Sequence, residues 1–428
     1  MEHLFELFAQ TSGVSIDTRK IENDCLFICL RGDNFDGNTF AEDALIKGAK
    51  YVISDNPIHA NKKNIFVVED SLFFLQQMAR YHRRKMSAKV IGITGSNGKT
   101  SSKELIKCVL SQGFDVLATQ GNLNNHIGVP LTLLQLKQHH EIAIIEMGAN
   151  KFKDIEELCA IAEPNYGIIT NIGKAHLEGF LNFEGVLKTK KELYQSVSSV
   201  GGTIVYNDDD TVLKNHVPPN VSLFSYGTTD AAAIQGHLIG LNPYVQFSWK
   251  CKDYASEIVS THMIGKYNFY NFLAAIAFGK LFGLQEEKIN AAISSYIPEN
   301  NRSQVMKTAK NTLILDCYNA NPTSMKSALE SFALIDSPNK FFIIGDMLEL
   351  GKESLHEHQM ILDLAAKLNL KGITVGPIFK SLHSPILTNQ FNLTSDTIEY
   401  LNLQPQNGAM ILLKGSRGIG LEKLANVL

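Results

Sequence analysis

Short apolar runs recur along this chain at helix-length intervals, each closed by polar or charged residues. That alternation predicts strands joined by helices, the pattern of parallel α/β sheets. Three blocks emerge. The first, 1–86, holds CLFICL, YVISD and NIFVVED and ends in a helix with a basic tail, FLQQMARYHRRKM. The tail reads as a solvated helix end, with phosphate binding as the alternative. The second, 87–301, carries VIGIT, EIAIIEMGA, YGIITNIG and GGTIVYND, then the β-rich SLFSYGT and VQFSWKC and the apolar helix NFYNFLAAIAFGKLFG. The third, 302–428, restarts with TLILDCYNANP and runs through KFFIIGDMLELG, KGITVG and AMILLKGSRG, as a second Rossmann-like unit would. The expected class is therefore α/β in three domains: a small N-terminal one, a central P-loop-type parallel-sheet domain and a C-terminal Rossmann-like domain.

Between the strand Val90 to Thr94 and a polar-capped helix stands a tight glycine turn, Gly95, Ser96, Asn97 and Gly98, followed by Lys99, Thr100 and Ser101. Glycines let backbone N–H groups approach phosphates, and the helix behind aims its positive dipole end at them. Lys99 would neutralise the outer phosphates and the Thr100 hydroxyl would hold Mg²⁺. Ile93 occupies a position where the standard P-loop has glycine, so Gly95 must supply the turn. A bare GKT also arises by chance; the strand before it and the helix after it favour phosphate binding over a structural turn.

Composition narrows the class. The 428 residues suffice for two to four domains, and 44% hydrophobic with 19% charged residues is a globular balance. A net charge of −3 argues against nucleic acid or an anionic membrane as partner. The opening MEHLFELFAQTSG lacks a signal-peptide pattern, and no apolar stretch has the length of a spanning helix. The six cysteines are scattered; Cys25 and Cys29 read as small buried hydrophobes rather than metal ligands. A cytoplasmic enzyme is expected.

In open α/β sheets ligands gather at the carboxyl ends of the strands, so the polar residues there are the candidates for chemistry. Glu146 follows AIAII and suits Mg²⁺ or a nucleophile; a cap or surface ion pair is the alternative. Asn171, His176 and Glu178 follow another run. A lone histidine is usually structural, but the strand end points to metal or phosphate. Lys188, Lys190 and Lys191 read as a basic helix face. In the third block Asp316, Tyr318, Asn319 and Asn321 stand in a turn stopped by Pro322, either as Asx-turns or as readers of a base or peptide edge. Asp346 and Glu349 follow FFIIG, and Lys414, Ser416 and Arg417 form a cationic turn suited to a carboxylate or phosphate.

TGSNGKTSSKE, GNLNNHIGVPLTLL, IIEMGAN, TNIGKAHLEGF, KTKKELY, DCYNANPTSM, GDMLELG and LLKGSRG occur in the order seen in the Mur ligase family, and the chain resembles that family over nearly its whole length. SIDTRKIENDCLFICLRGDNFDGNTF is similar to its uridine-binding N-terminal domain. The resemblance implies an ATP-dependent amide ligase that activates a carboxylate as an acyl phosphate, and its third-block strings imply D-alanyl-D-alanine as the amine and UDP-N-acetylmuramoyl-tripeptide as the acid. It places Lys99 on the β/γ-phosphates, with Thr100 and Glu146 on one Mg²⁺ and Glu146 and His176 on a second. Lys190 falls where related ligases carry a carbamylated lysine. Asn268 and Asn319 are implied on the adenine side and Arg302 on ATP phosphate. Thr18, Arg19 and Asn38 would line the uridine site, Asn124 and Asn125 the muramyl-peptide, and Asp316, Tyr318, Asn321, Asp346, Lys414, Ser416 and Arg417 the remaining substrate surface.

Three positions depart from the family pattern. Asn38 stands for a usual histidine, Tyr267 for the histidine of GxHN, and Lys191 for a common glycine. The competing readings are another amino-acid-adding Mur-type ligase, a nucleotide-binding regulator without ligase chemistry, and a small-molecule kinase. No motif marks a helical dimer seam, so a monomer is expected, and none distinguishes meso-diaminopimelate from lysine in the tripeptide.

Overall fold

The computed structural model describes residues 2–173, 180 and 182–428. Three main sheets follow one another, each built from the apolar runs of one block. The first is parallel, in the order Val14–Ser15, Leu26–Ile28, Tyr51–Ser54, Ile65–Val67. Alternate side chains face opposite ways along a strand. Phe27, Cys29 and Val52 therefore build a small core on one face, while Leu26, Ile28 and Ile53 pack on the helix Ser71–Lys85. Cys25 and Cys29 are buried and free, as expected, and burial pushes the Cys29 thiol up to about 12.

The helix Ser71–Lys85 also joins the first block to the second. Phe74, Leu75, Met78 and Ala79 share one continuous core with Val129, Leu133 and Leu136. Its basic tail is docked at Arg83, while Arg84 and Lys85 are exposed, which corrects the expectation in part. Arg83 is buried, donating Nε to the Ala162 carbonyl at 3.2 Å and Nη2 to Asn165 Oδ1 at 3.1 Å. Arg80 and Arg84 pair with Glu163 at 3.0 and 2.6 Å. Glu163, in the left-handed conformation, ends the helix Asp154–Ala162. Free carbonyls and the negative dipole end attract cations to such a terminus.

Among the described residues the central sheet has ten strands. Val116–Ala118, Ile142–Glu146, Lys89–Thr94, Tyr166–Ile169, Thr203–Asn207, Ser222–Gly227 and Ile234–Gly240 lie side by side, all parallel. Tyr244–Cys251 continues the sheet antiparallel, flanked by Tyr254–Ala255 and Val259–Ile264. The helix Tyr267–Leu281 is predominantly apolar around its circumference and is accordingly buried, with Phe269, Phe272 and Ile276 packed in the same core as Leu105 and Val109 of the helix Lys99–Leu110.

The third sheet runs Gln304–Lys307, Thr312–Leu315, Met410–Lys414, Lys340–Gly345, Gly372–Val375, Leu387–Phe391, antiparallel only at its first pair. Among the described residues no helix is long and apolar enough to cross a membrane.

Candidate active site

Strand order decides what meets the glycine turn. Lys89–Thr94 lies between Ile142–Glu146 and Tyr166–Ile169, with Ile93 beside Glu146 and Thr94 beside Ile169. Both neighbours therefore end level with the turn and deliver Glu146 on one side and Thr170 and Asn171 on the other. Gly95 has φ +148°, and a Cβ there would stand 1.9 Å from Thr170 Oγ1. Gly98, at φ +78°, opens the helix Lys99–Leu110. Gly95→Ala is expected to cost about 1–3 kcal/mol from backbone strain, before the clash is counted. Thermal unfolding and a nucleotide-binding titration check it: both are expected to fall together.

The turn is held from outside. Asn171 Oδ1 accepts from the Asn97 amide at 3.0 Å while its Nδ2 donates to the Asn97 carbonyl at 2.9 Å. Thr170 Oγ1 donates to that carbonyl at 2.6 Å, and Ser96 Oγ bonds Gly173 through both its carbonyl and its amide. Thr170 and Gly173 escaped the sequence reading; their only signal is a place just after a strand. Ser101 is buried in the first turn of the helix.

Thr100 Oγ1 donates to Glu146 Oε2 at 2.9 Å, and Asn124 Nδ2 donates to Glu146 Oε1 at 2.8 Å. A buried hydroxyl beside a buried carboxylate is a hard-oxygen pair of the kind that suits Mg²⁺. Among the described residues no group of three or more His, Cys, Asp or Glu side chains is placed to hold a metal. Lys99 Nζ donates to the Gly95 carbonyl at 2.7 Å. Burial lowers its pKa, Arg302 adds to the effect and Glu146 opposes it. Lys190, on the helix Phe183–Ser199, is only 2% exposed. Burial holds its ammonium well below the ordinary lysine range, with Lys99 adding to this. His176 lies outside the described residues. Asn125 Oδ1 accepts from the Ile127 and Gly128 amides, starting the helix Gly128–Leu133.

The third block faces this loop. Leu315 and Leu413 are register partners, so Asp316 and Lys414 follow side by side and pair at 2.7 Å. Arg302 lies over the Tyr318 ring, 3.7 Å from its centroid, and Arg417 lies 5.5 Å from the same point. Asn321 Oδ1 caps the helix Pro322–Leu334, while its Nδ2 donates to Asn97 Oδ1 at 2.7 Å, a direct link to the glycine turn. Asn319 Oδ1 accepts from the next amide, at Ala320, and Ser416 Oγ accepts from the Leu348 amide at 2.9 Å. Asn268 is fully buried, giving Nδ2 to the Ile264 carbonyl and Ser303 Oγ and accepting from Asn271. A single cavity of about 660 Å³ joins the two surfaces, with Lys99, Glu146, Asn124, Arg302, Tyr318 and Arg417 on its walls.

Six of the described site residues do not line it: Gly95, Lys190, Asp346, Thr18, Arg19 and Asn38. Asp346 is fully buried and accepts the Ile378 and Phe379 amides at 2.9 Å each, capping the short helix Pro377–Lys380. This corrects the expectation of a substrate contact: the strand-end carboxylate turns inward to a helix start contributed from further along the chain. Thr18, Arg19 and Asn38 stay in the first block. Arg19 is exposed and paired with Asp17 at 2.8 Å, beside Thr18 in a short 3-10 turn. Asn38 is buried, donating to Asp36 and Asp55 at 2.7 Å each and accepting from Ser54 Oγ at 2.7 Å.

Family models match the chain in three stretches: the Mur ligase family catalytic domain at residues 10–83, the Mur ligase middle domain at 93–279, and the Mur ligase glutamate ligase domain at 301–417. The UDP-N-acetylmuramoyl-tripeptide–D-alanyl-D-alanine ligase of Bacillus subtilis is 32% identical, the alignment covering 96% of this chain and 92% of that protein. The same-named protein of Treponema pallidum is 34% identical over 97% and 93%. Crystal structures of MurF from Acinetobacter baumannii (TM-score 0.88, 28% identity, 98% and 97% covered) and of MurF ligase from Thermotoga maritima in complex with ADP (0.88, 25%, 99% and 97%) share the fold. Three consecutive domain matches and full-length relatives above 30% identity converge with the loop geometry on one result: the chain belongs to the Mur ligase family.

Proposed function

We propose that this chain is an ATP-dependent ligase that joins D-alanyl-D-alanine to UDP-N-acetylmuramoyl-tripeptide in peptidoglycan precursor synthesis. The observation that carries this reading is the single cavity, with a phosphate loop on one wall and a cationic turn of the third block on the other. The relatives from Bacillus subtilis and Treponema pallidum bear the name of this activity, and the Thermotoga maritima neighbour holds ADP.

The tripeptide carboxylate attacks the γ-phosphorus of ATP, the bond to the ADP oxygen breaks, and an acyl phosphate forms. The dipeptide amine then attacks the acyl carbon. The tetrahedral intermediate loses a proton and expels inorganic phosphate, leaving the amide. Positioning and charge neutralisation do most of this work. Lys99 and Arg302 meet the ATP phosphates. Thr100 and Glu146 would hold Mg²⁺, and Glu146, His176 and a carbamylated Lys190 would hold a second. When bound, the metal neutralises charge on the transferring phosphoryl group. Asn268 and Asn319 stand on the adenine side, though Asn268 acts through its buried network. Asn124 and Asn125 meet the muramyl-peptide; Thr18, Arg19 and Asn38 serve the uridine end. Asp316, Tyr318, Asn321, Lys414, Ser416 and Arg417 form the dipeptide side. The division into 1–86, 87–301 and 302–428, a cytoplasmic location and a monomeric state complete the reading.

ADP release from ATP and Mg²⁺ with UDP-N-acetylmuramoyl-tripeptide tests it. Release is expected to depend on D-alanyl-D-alanine and to match amide formed. Release without the dipeptide and without amide would instead indicate a kinase or a simple nucleotidase.

A further inference from the structure

The third block presents three cations to the cavity: Arg302, Lys414 and Arg417. They are supported in two different ways. Lys414 is buried and neutralised by Asp316 at 2.7 Å. The two guanidiniums instead share one aromatic ring, Arg302 at 3.7 Å and Arg417 at 5.5 Å from the Tyr318 centroid. Arg302 Nε is buried and, among the described residues, has no hydrogen-bond partner. A carboxylate holding an arginine cancels its charge. A π face fixes the guanidinium plane and leaves both the charge and the N–H fork free for an anion. The cavity therefore contains two oriented cations with donors to spare, set by a single side chain that is itself uncharged.

We propose that Tyr318 is a positioning residue shared by both anionic substrates, holding Arg302 for the phosphates of ATP and Arg417 for the terminal carboxylate of the incoming dipeptide. The inference rests on the ligase reading above. Because one ring supports both cations, disturbing its face weakens recognition of two chemically unrelated ligands at once. The UDP-linked acid lies toward Asn124 and Glu146 and is not affected.

The measurement is the steady-state KM for each of the three substrates in Tyr318→Phe and Tyr318→Leu. Phe keeps the face and is expected to raise KM for ATP and for D-alanyl-D-alanine by much less than Leu does. Leu removes it and is expected to raise KM for ATP and for D-alanyl-D-alanine together, by about three- to thirtyfold, a range fitting the loss of a partly desolvated cation–π contact. KM for the UDP-tripeptide is expected to be unchanged. A Leu variant with reduced kcat and three unaltered KM values would reduce Tyr318 to a packing residue and overturn the proposal. Should the Leu variant not fold, pentafluorophenylalanine at 318 keeps the shape while reversing the face potential, and the same paired KM rise must appear. The parent enzyme separates the two claims. If its ADP release ignores the dipeptide, the ligase reading fails; if release depends on the dipeptide and the paired rise is missing, only the role of Tyr318 fails.

Discussion

Replacing Lys99 with alanine is expected to lower dipeptide-dependent ADP release and amide formation by at least about a hundred- to a thousandfold, the usual effect of removing one preorganised charge from a transition-state site. The position explains the size. Lys99 opens the helix behind the glycine turn, and its Nζ lies 2.7 Å from the Gly95 carbonyl, inside the curve of the loop that would hold the phosphates. Arg302 is close enough to lower its pKa, so cations from two blocks converge there. The fold is expected to survive. A cation kept in a desolvated place contributes little to stability, and the turn keeps its bonds to Thr170, Asn171 and Gly173 when the Lys99 bond to the Gly95 carbonyl is lost. Circular dichroism and the melting temperature should match the parent while turnover disappears. Turnover close to the parent's would remove the phosphate assignment.

Lys190→Met is expected to give a protein that is more stable and inactive. The parent side chain is an almost fully buried amine, and burial together with nearby Lys99 lowers its pKa. Unpaired burial of charge is costly, and an apolar chain of similar volume removes the cost. The sign of the pH dependence follows from the lowered pKa. The unfolded chain binds the proton more tightly, so the penalty is complete below the folded pKa. It shrinks as pH rises toward 10.5, the ordinary lysine value. In bicarbonate-free buffer the variant should melt above the parent at neutral pH, with the gap closing as pH rises. Activity is expected to fall about a hundredfold or more, because a carbamate on Lys190 would supply a ligand charge that methionine lacks. Isotope-labelled bicarbonate should give a carbamate signal in the parent and none in the variant. An active methionine variant would end the assignment.

Much of the site was legible before any tertiary contact was known. The glycine turn, Lys99, Thr100 and Glu146 are recognisable because apolar runs end where polar chemistry begins, and that boundary is local. Asn321 was legible as a turn residue, but its bond to Asn97, more than two hundred residues away, was not. Asp346 shows the opposite failure. It has the strand-end placement of a ligand-binding carboxylate, yet it caps the helix Pro377–Lys380 because that helix starts beside it. The basic tail of Ser71–Lys85 likewise found a partner, Glu163, that no periodicity could supply.

By itself the sequence determined the three-domain α/β class, the strand–glycine turn–helix segment and the family, since each rests on short-range patterning and on strings of neighbouring residues. The tertiary structure alone decided which strand ends meet. Glu146 and Asn171 flank the loop through strand order and register, and Arg302 and Arg417 share the Tyr318 ring through the folding of separate segments onto one cavity. The physical reason is that a side chain's environment depends on which distant backbone is packed against it, whereas propensity and turn chemistry act over a few residues.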